Sequence, residues 1–306
     1  MVLFVFGCKD NVIVDGGPHS GTWHQVASMN VARREHSAVQ LQDGRVLISG
    51  GNAFDGRVGA GIRSCEIYNP TANSWVMTDS LPFEMWRHKS VLLNNGKVLV
   101  TGGSDGKSTG LYDPTSGNWS PSAAFLTTRI GHTVTLLNSG KVLVVGGIDS
   151  AGNLLRECEL FDPLTETWTR TDSTVIPRGR HTATLLGSGK VLVTGGFDPG
   201  LNSCEVFNPD SARWKLVAPM FTPKDFHTAV PLRSGEVFIL PEYDWSGEIY
   251  SEQSNTWRQS QPMTQQRGWI AATPLSSGQV LATGGLYYSL ADSHYVTISN
   301  ADIYIP

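Results

Sequence analysis

Apolar residues in this chain come in short runs, and each run is closed by glycine or by Asn or Asp before proline. No stretch keeps a helical period long enough to compete, so the pattern predicts β-strands joined by tight turns. The most regular run is an octapeptide, GKVLVTGG, which occurs unchanged at Gly96–Gly103 and Gly189–Gly196. It recurs lightly edited as GRVLISGG from Gly44, GKVLVVGG from Gly140 and GQVLATGG from Gly278. A sixth copy, GEVFILPE from Gly235, lacks both terminal glycines. Val and Leu fill both faces of the segment, as in a strand buried between two neighbouring sheets. The paired glycines that close it mark a conformation or a close approach that a Cβ would obstruct.

The first glycines stand 52, 44, 49, 46 and 43 residues apart, close to the roughly 40 to 50 residues expected of a propeller blade. Other markers keep the same offsets. His36, His88, His132, His181 and His227 precede a first apolar segment, and YNPT, YDPT, FDPL and FNPD end a third. Asn or Asp before proline there is turn chemistry. Trp75, Trp119, Trp168, Trp214 and Trp257 then open a fourth segment, where a large ring can fill the wedge between adjacent sheets. Four strands per unit make a blade, and the chain is one array rather than two domains.

The Gly-Gly pair, the aromatic residue a few positions before the Trp, and the Trp itself resemble the kelch repeat over nearly the whole chain. The resemblance implies an all-β, six-bladed propeller of four antiparallel strands per blade, similar to the central domain of galactose oxidase and to bacterial sialic acid mutarotases. It implies no activity, because fold and function separate freely on such scaffolds. The last unit ends at ADIYIP, which matches a third strand with no Trp after it. The segment around Trp23 is therefore expected to pair with the C-terminal strands and close blade six.

Residues 21–306 are read as one propeller and residues 1–20 as an atypical N-terminal segment. Val5-Phe6-Gly7-Cys8 looks like a lipobox, which would make the protein exported or lipid-anchored; the alternative is an ordinary edge strand of a cytoplasmic protein. The net charge of -4, with Lys and Arg scattered, argues against nucleic acid and anionic membrane as partners. No apolar run reaches the roughly 18 to 20 residues of a transmembrane helix. A monomer is expected.

What every blade shares serves to build a blade, and what one blade alone carries is free to serve a ligand. Cys65, Cys158 and Cys204 share one third-strand position, which speaks against disulfides. The repeated histidines are too far apart by symmetry to share a metal, so neither metal nor cofactor is expected. Arg33, Arg129, Arg178 and Arg267 precede the histidine position, and Glu66, Glu159, Glu205 and Glu248 recur in third strands. These are expected to pair and stitch blades together.

The breaks in the pattern supply the candidates. Unit five replaces Gly-Gly with Leu240-Pro241 and continues through Glu242, Tyr243, Asp244 and Trp245; unit six carries Arg267 and Trp269 before Ile270; unit two reads Glu84-Met85-Trp86-Arg87. A long segment after the last Gly-Gly holds Tyr287, Tyr288, His294 and Tyr295. Trp86, Arg87, Tyr243, Trp245, Trp269, Tyr287 and Tyr288 suit a polar ligand with apolar faces, such as a sugar or a peptide. The expected role is a binding module for a glycan or protein partner, acting through the loop face. The alternative is a cofactor-free carbohydrate enzyme of mutarotase or epimerase type, with Glu242, Asp244, Arg267 and His294 as acid and base groups. A copper radical centre would need a crosslinked cysteine and a tyrosine and histidine set that has no counterpart here.

Overall fold

The computed structural model describes residues 12–14, 23–25, 27–31, 33, 36–51, 61–85, 88–197, 200–225, 227–240, 246–262, 271–274, 280–283, 286–289, 294–297 and 301–304. These residues are all strand, turn or irregular, with no helix among them. β1 (Val12–Val14) and β2 (Trp23–Gln25) form a two-stranded sheet. Blade one is β3 (Ser37–Gln40), β4 (Val46–Ser49), β5 (Cys65–Asn69) and β6 (Ser74–Thr78). Blade two is β7 (Lys89–Leu92), β8 (Val98–Thr101), β9 (Thr109–Asp113) and β10 (Asn118–Pro121); blade three is β11 (Thr133–Leu136), β12 (Val142–Val145), β13 (Cys158–Asp162) and β14 (Thr167–Arg170). Blade four is β15 (Thr182–Leu185), β16 (Val191–Thr194), β17 (Cys204–Asn208) and β18 (Arg213–Val217), and blade five is β19 (Ala229–Pro231), β20 (Val237–Ile239), β21 (Ser246–Ser251) and β22 (Thr256–Pro262). After them come β23 (Ala271–Pro274), β24 (Val280–Thr283), β25 (Leu286–Ser289), β26 (His294–Thr297) and β27 (Ala301–Tyr304).

Five four-stranded antiparallel sheets thus follow one another among the described residues, each strand paired with its sequence neighbour. β23, β24 and β27 make a three-stranded sheet, and β25 pairs with β26 as a hairpin. The chain divides into two compact units, one spanning Leu3–Thr171 and the other chiefly Asp172–Pro306. The first unit contains blades one to three, and the second contains blades four and five with the later strands.

The N-terminal expectation needs correction. Among the described residues, Trp23 pairs with Val14 in the β1–β2 sheet, and that sheet includes no C-terminal strand. An antiparallel partner nine residues away in sequence closes a far shorter loop than one at the other end of the chain, so local pairing is entropically cheaper.

The octapeptide strands β8, β12 and β16 are buried at every residue, which explains their lack of alternation. The apolar cores lie between consecutive sheets. One cluster joins Leu41, Leu47 and Cys65 of blade one to Val98, Val100 and Tyr112 of blade two; another joins Leu99 and Leu111 to Val142, Val144, Phe161 and Trp168 of blade three. In the second unit, Leu192, Cys204 and Val206 meet Val237, Ile239 and Tyr250. Each blade also carries a cross-strand aromatic pair, as in Tyr68–Trp75 and Phe161–Trp168, whose centroids are 4.9 Å apart.

The Asn-Pro and Asp-Pro corners behave as the sequence suggests. Asn69 Oδ1 accepts the N–H groups of Thr71 and Ala72, and Asp113 and Asp162 cap their turns in the same way. Four residues after each of these, the chain turns left-handed, at Asn73, Gly117 and Glu166.

Candidate functional site

Where each first strand begins, a buried junction is assembled from the repeated residues. Blade three shows the complete set. Arg129 donates from Nη1 to the carbonyls of Gly146 and Glu157 at 2.7 and 2.8 Å, and from Nη2 to Glu159 Oε1 at 2.6 Å. Glu159 also accepts the N–H groups of Leu126 and Thr127. Both charged side chains are sealed from solvent, and each is satisfied by the other and by backbone. Arg33–Glu66 at 2.9 Å and Arg178–Glu205 at 2.7 Å repeat the arrangement; Lys224 stands 3.6 Å from Glu248.

Contrary to the sequence expectation, these pairs do not stitch neighbouring blades. In each described case both partners belong to one blade, the cation on the loop leading into its first strand and the Glu on its third strand. The lead-in loop folds over the end of its own sheet, so the guanidinium meets that sheet's third strand.

The glycines and histidines, by contrast, take part in blade-to-blade contacts. The N–H of Gly51 donates to the Met85 carbonyl, and that of Gly196 to the Lys224 carbonyl, both at 2.8 Å. His88 Nε2 lies 3.1 Å from Ser49 Oγ, His132 Nε2 3.0 Å from Thr101 Oγ1, and His227 Nε2 2.9 Å from Thr194 Oγ1. Each hydroxyl residue directly precedes the Gly-Gly pair of the preceding blade. A Cβ on Gly102 would stand 2.9 Å from His132 Cε1, whereas one on Gly147 would meet the Ile130 carbonyl of its own lead-in loop at 2.9 Å. The first glycine therefore admits the next blade and the second admits the blade's own loop. That is why the octapeptide ends as it does.

Burial sets the charge state of these groups. It lowers His88 and His227 to about 3 and, with Arg33 assisting, His36 to about 4; His132 is likewise held well below its ordinary value. Burial raises the thiol of Cys65 to about 11 and that of Cys204 to about 12, so neither is a nucleophile at neutral pH. Among the described residues, no group of three or more His, Cys, Asp or Glu is placed to hold a metal ion.

Blade two breaks the junction in three places at once. Met85, fully buried, fills the arginine position; Gly110 replaces the third-strand glutamate; and Pro82, which has no N–H, stands where Leu126 of blade three donates to Glu159. A Cβ on Gly110 would meet Pro82 Cγ at 3.5 Å. A polar node has been exchanged whole for an apolar one. The same blade carries a cation that the sequence reading passed over: Lys89 occupies the position held by Ser37, Thr133, Thr182 and Thr228 in the other units. The lone-blade criterion would have found it, because its counterparts are uncharged.

The sequence-derived candidates fall mostly elsewhere. Trp86, Arg87, Glu242, Tyr243, Asp244, Trp245, Arg267 and Trp269 lie outside the described residues. Tyr287 and Tyr288 are on β25 and His294 is on β26, with Tyr288 opposite Tyr295 and Ser289 opposite His294. The segment read as a long loop therefore contains a hairpin.

A protein-family model described as tRNA wybutosine-synthesizing protein 4, beta-propeller, matches residues 126–237. Kelch-like protein 24 of Rattus norvegicus is 35% identical over 91 residues, which is 30% of this chain and 14% of the relative. Kelch-like protein 23 of Homo sapiens is 28% identical over 93 residues, 30% of this chain and 16% of the relative. Over these segments the chain is similar to kelch-repeat β-propellers. The kelch relatives are matched over only a small part of their own length. A solved fungal alcohol oxidase of the AA5 family, in complex with copper, superposes with a TM-score of 0.55 over 94% of this chain and 76% of that chain, at 15% identity. At that identity the likeness concerns the fold alone.

Proposed function

We propose that this kelch chain is an interaction module: one array of six blades, the sixth built on β23, β24 and β27, that docks a protein partner through its lead-in loops. The observation that carries this reading is a repeated apolar presentation. Leu126 in the first unit, and Val175 and Phe221 in the second, are 47%, 43% and 56% exposed. All three hold the same loop position, and the N–H of each is bound to its blade's glutamate. The backbone is fixed while the side chain stays in water, so little ordering entropy is lost when a partner covers it. Exposed apolar side chains on fixed loops suit the apolar core of a protein interface, and none of the three carries a polar group for sugar hydroxyls.

The test is quantitative affinity purification from the native host with the wild-type protein, a Leu126→Glu/Val175→Glu/Phe221→Glu variant, and a Leu164→Glu control at a β-turn, alongside a glycan array. Partners retained by wild type and control but depleted in the triple variant by about tenfold are expected. Equal recovery by all three proteins would overturn the reading, as would sugar binding without any loop-dependent protein.

A further inference from the structure

Lys89 is the only ionisable residue on the described first strands, whose sequences are otherwise SAVQ, TVTL, TATL, AVP and AATP. Its register position is a working one. The equivalent Thr182 places Oγ1 3.0 Å from the histidine of the following blade, His227 Nε2. In blade two that seat faces His132, and Thr101, opposite Lys89 across the strand pair, already occupies His132 Nε2. A four-carbon stem extends past the seat, and the residue as a whole is half-buried.

Among the described residues, no carboxylate is paired with it. β7 packs against β3, β8 and β11, and none of the three carries Asp or Glu. Among the described residues, the ionisable groups around it include His36, His88 and His132, held neutral by burial, and Arg129, which is paired with Glu159. Desolvation lowers the pKa of Lys89, the mark of a cation without a counter-charge. Ser90 Oγ and the Nδ1 atoms of His88 and His132 are buried with no hydrogen-bond partner. Three sister positions carry threonine, so a lysine here costs stability that the scaffold does not require.

We propose that Lys89 forms a carboxylate-binding site on the first strand of blade two, where the ligand supplies the missing negative charge. The carboxylate belongs either to a small free acid or to an acidic side chain of a partner; the site does not depend on the docking loops.

The experiment follows lysine NMR shifts and thermal stability of the full chain with sodium acetate and with hexaglutamate, each against sodium chloride at equal ionic strength. Wild type, Lys89→Thr and Lys89→Gln are compared. Wild type should respond beyond the salt control, and both variants should bind about tenfold more weakly, the scale of one charged hydrogen bond. A response to acetate alone supports the site and assigns a free acid; a response to hexaglutamate alone supports it and assigns an acidic segment. Equal responses in wild type and in either folded variant would overturn the proposal, and so would no response to either probe in wild type.

Discussion

The ring histidines are neutral parts of the scaffold, and their protonation is coupled to unfolding. His88, His227 and His36 have folded values of about 3, 3 and 4 against about 6.5 when exposed in the unfolded chain. Between those limits the unfolded state binds more protons than the folded one, so stability is full above about pH 6.5 and falls as pH drops toward 4. At pH 5 each such histidine costs up to about 2 kcal/mol. The melting temperature should therefore begin to fall near pH 6.5, well above the carboxylate range. In His88→Gln, where the amide can still reach Ser49, proton uptake on unfolding at pH 5 should drop by about one, measured from the pH dependence of melting and its calorimetric enthalpy. An unchanged uptake would mean that the ring is already charged in the fold.

The blade is the element at which this sequence is most legible, and blade two shows where legibility stops. Five Gly-Gly pairs, the Trp offsets and the Asn-Pro and Asp-Pro corners each answer to a local backbone demand, so they announce themselves in one dimension. The Pro82, Met85 and Gly110 exchange does not, because its logic lies in a contact between a loop and a strand 28 residues apart in the case of Pro82 and Gly110. Gly110→Glu should place a buried carboxylate beside a methionine and a proline that can neither pair with it nor donate to it, at a cost of more than about 3 kcal/mol. Adding Met85→Arg and Pro82→Leu rebuilds the node of blade three and should recover most of that loss. Urea unfolding of the single, double and triple variants reads the coupling directly, and additive losses without recovery would show that the node does not act as a unit.

At the scale of the whole molecule, the candidate site was less legible than the fold for a physical reason. Repeats specify themselves many times over, whereas a ligand site is written once. Two segments that break the repeat, 241–245 and 263–270, lie outside the described residues. Repetition has a dynamic consequence as well. The buried Arg–Glu pairs and the Trp bonds to lead-in carbonyls are internal to blades, while neighbouring blades share apolar cores and backbone bonds between one sheet and the next lead-in loop. Protection should therefore be graded across each sheet rather than between sheets. The second strands β8, β12 and β16 are sealed on both faces, while the fourth strands β10, β14 and β18 keep most residues exposed. Hydrogen exchange read by mass spectrometry should find the octapeptide amides slowest in all three blades, with fourth-strand amides faster by about two orders of magnitude or more, since their opening falls short of global unfolding by several kcal/mol. Uniform exchange within a blade would mean that each sheet opens as one piece, and the fourth strand would then be as firmly held as the core.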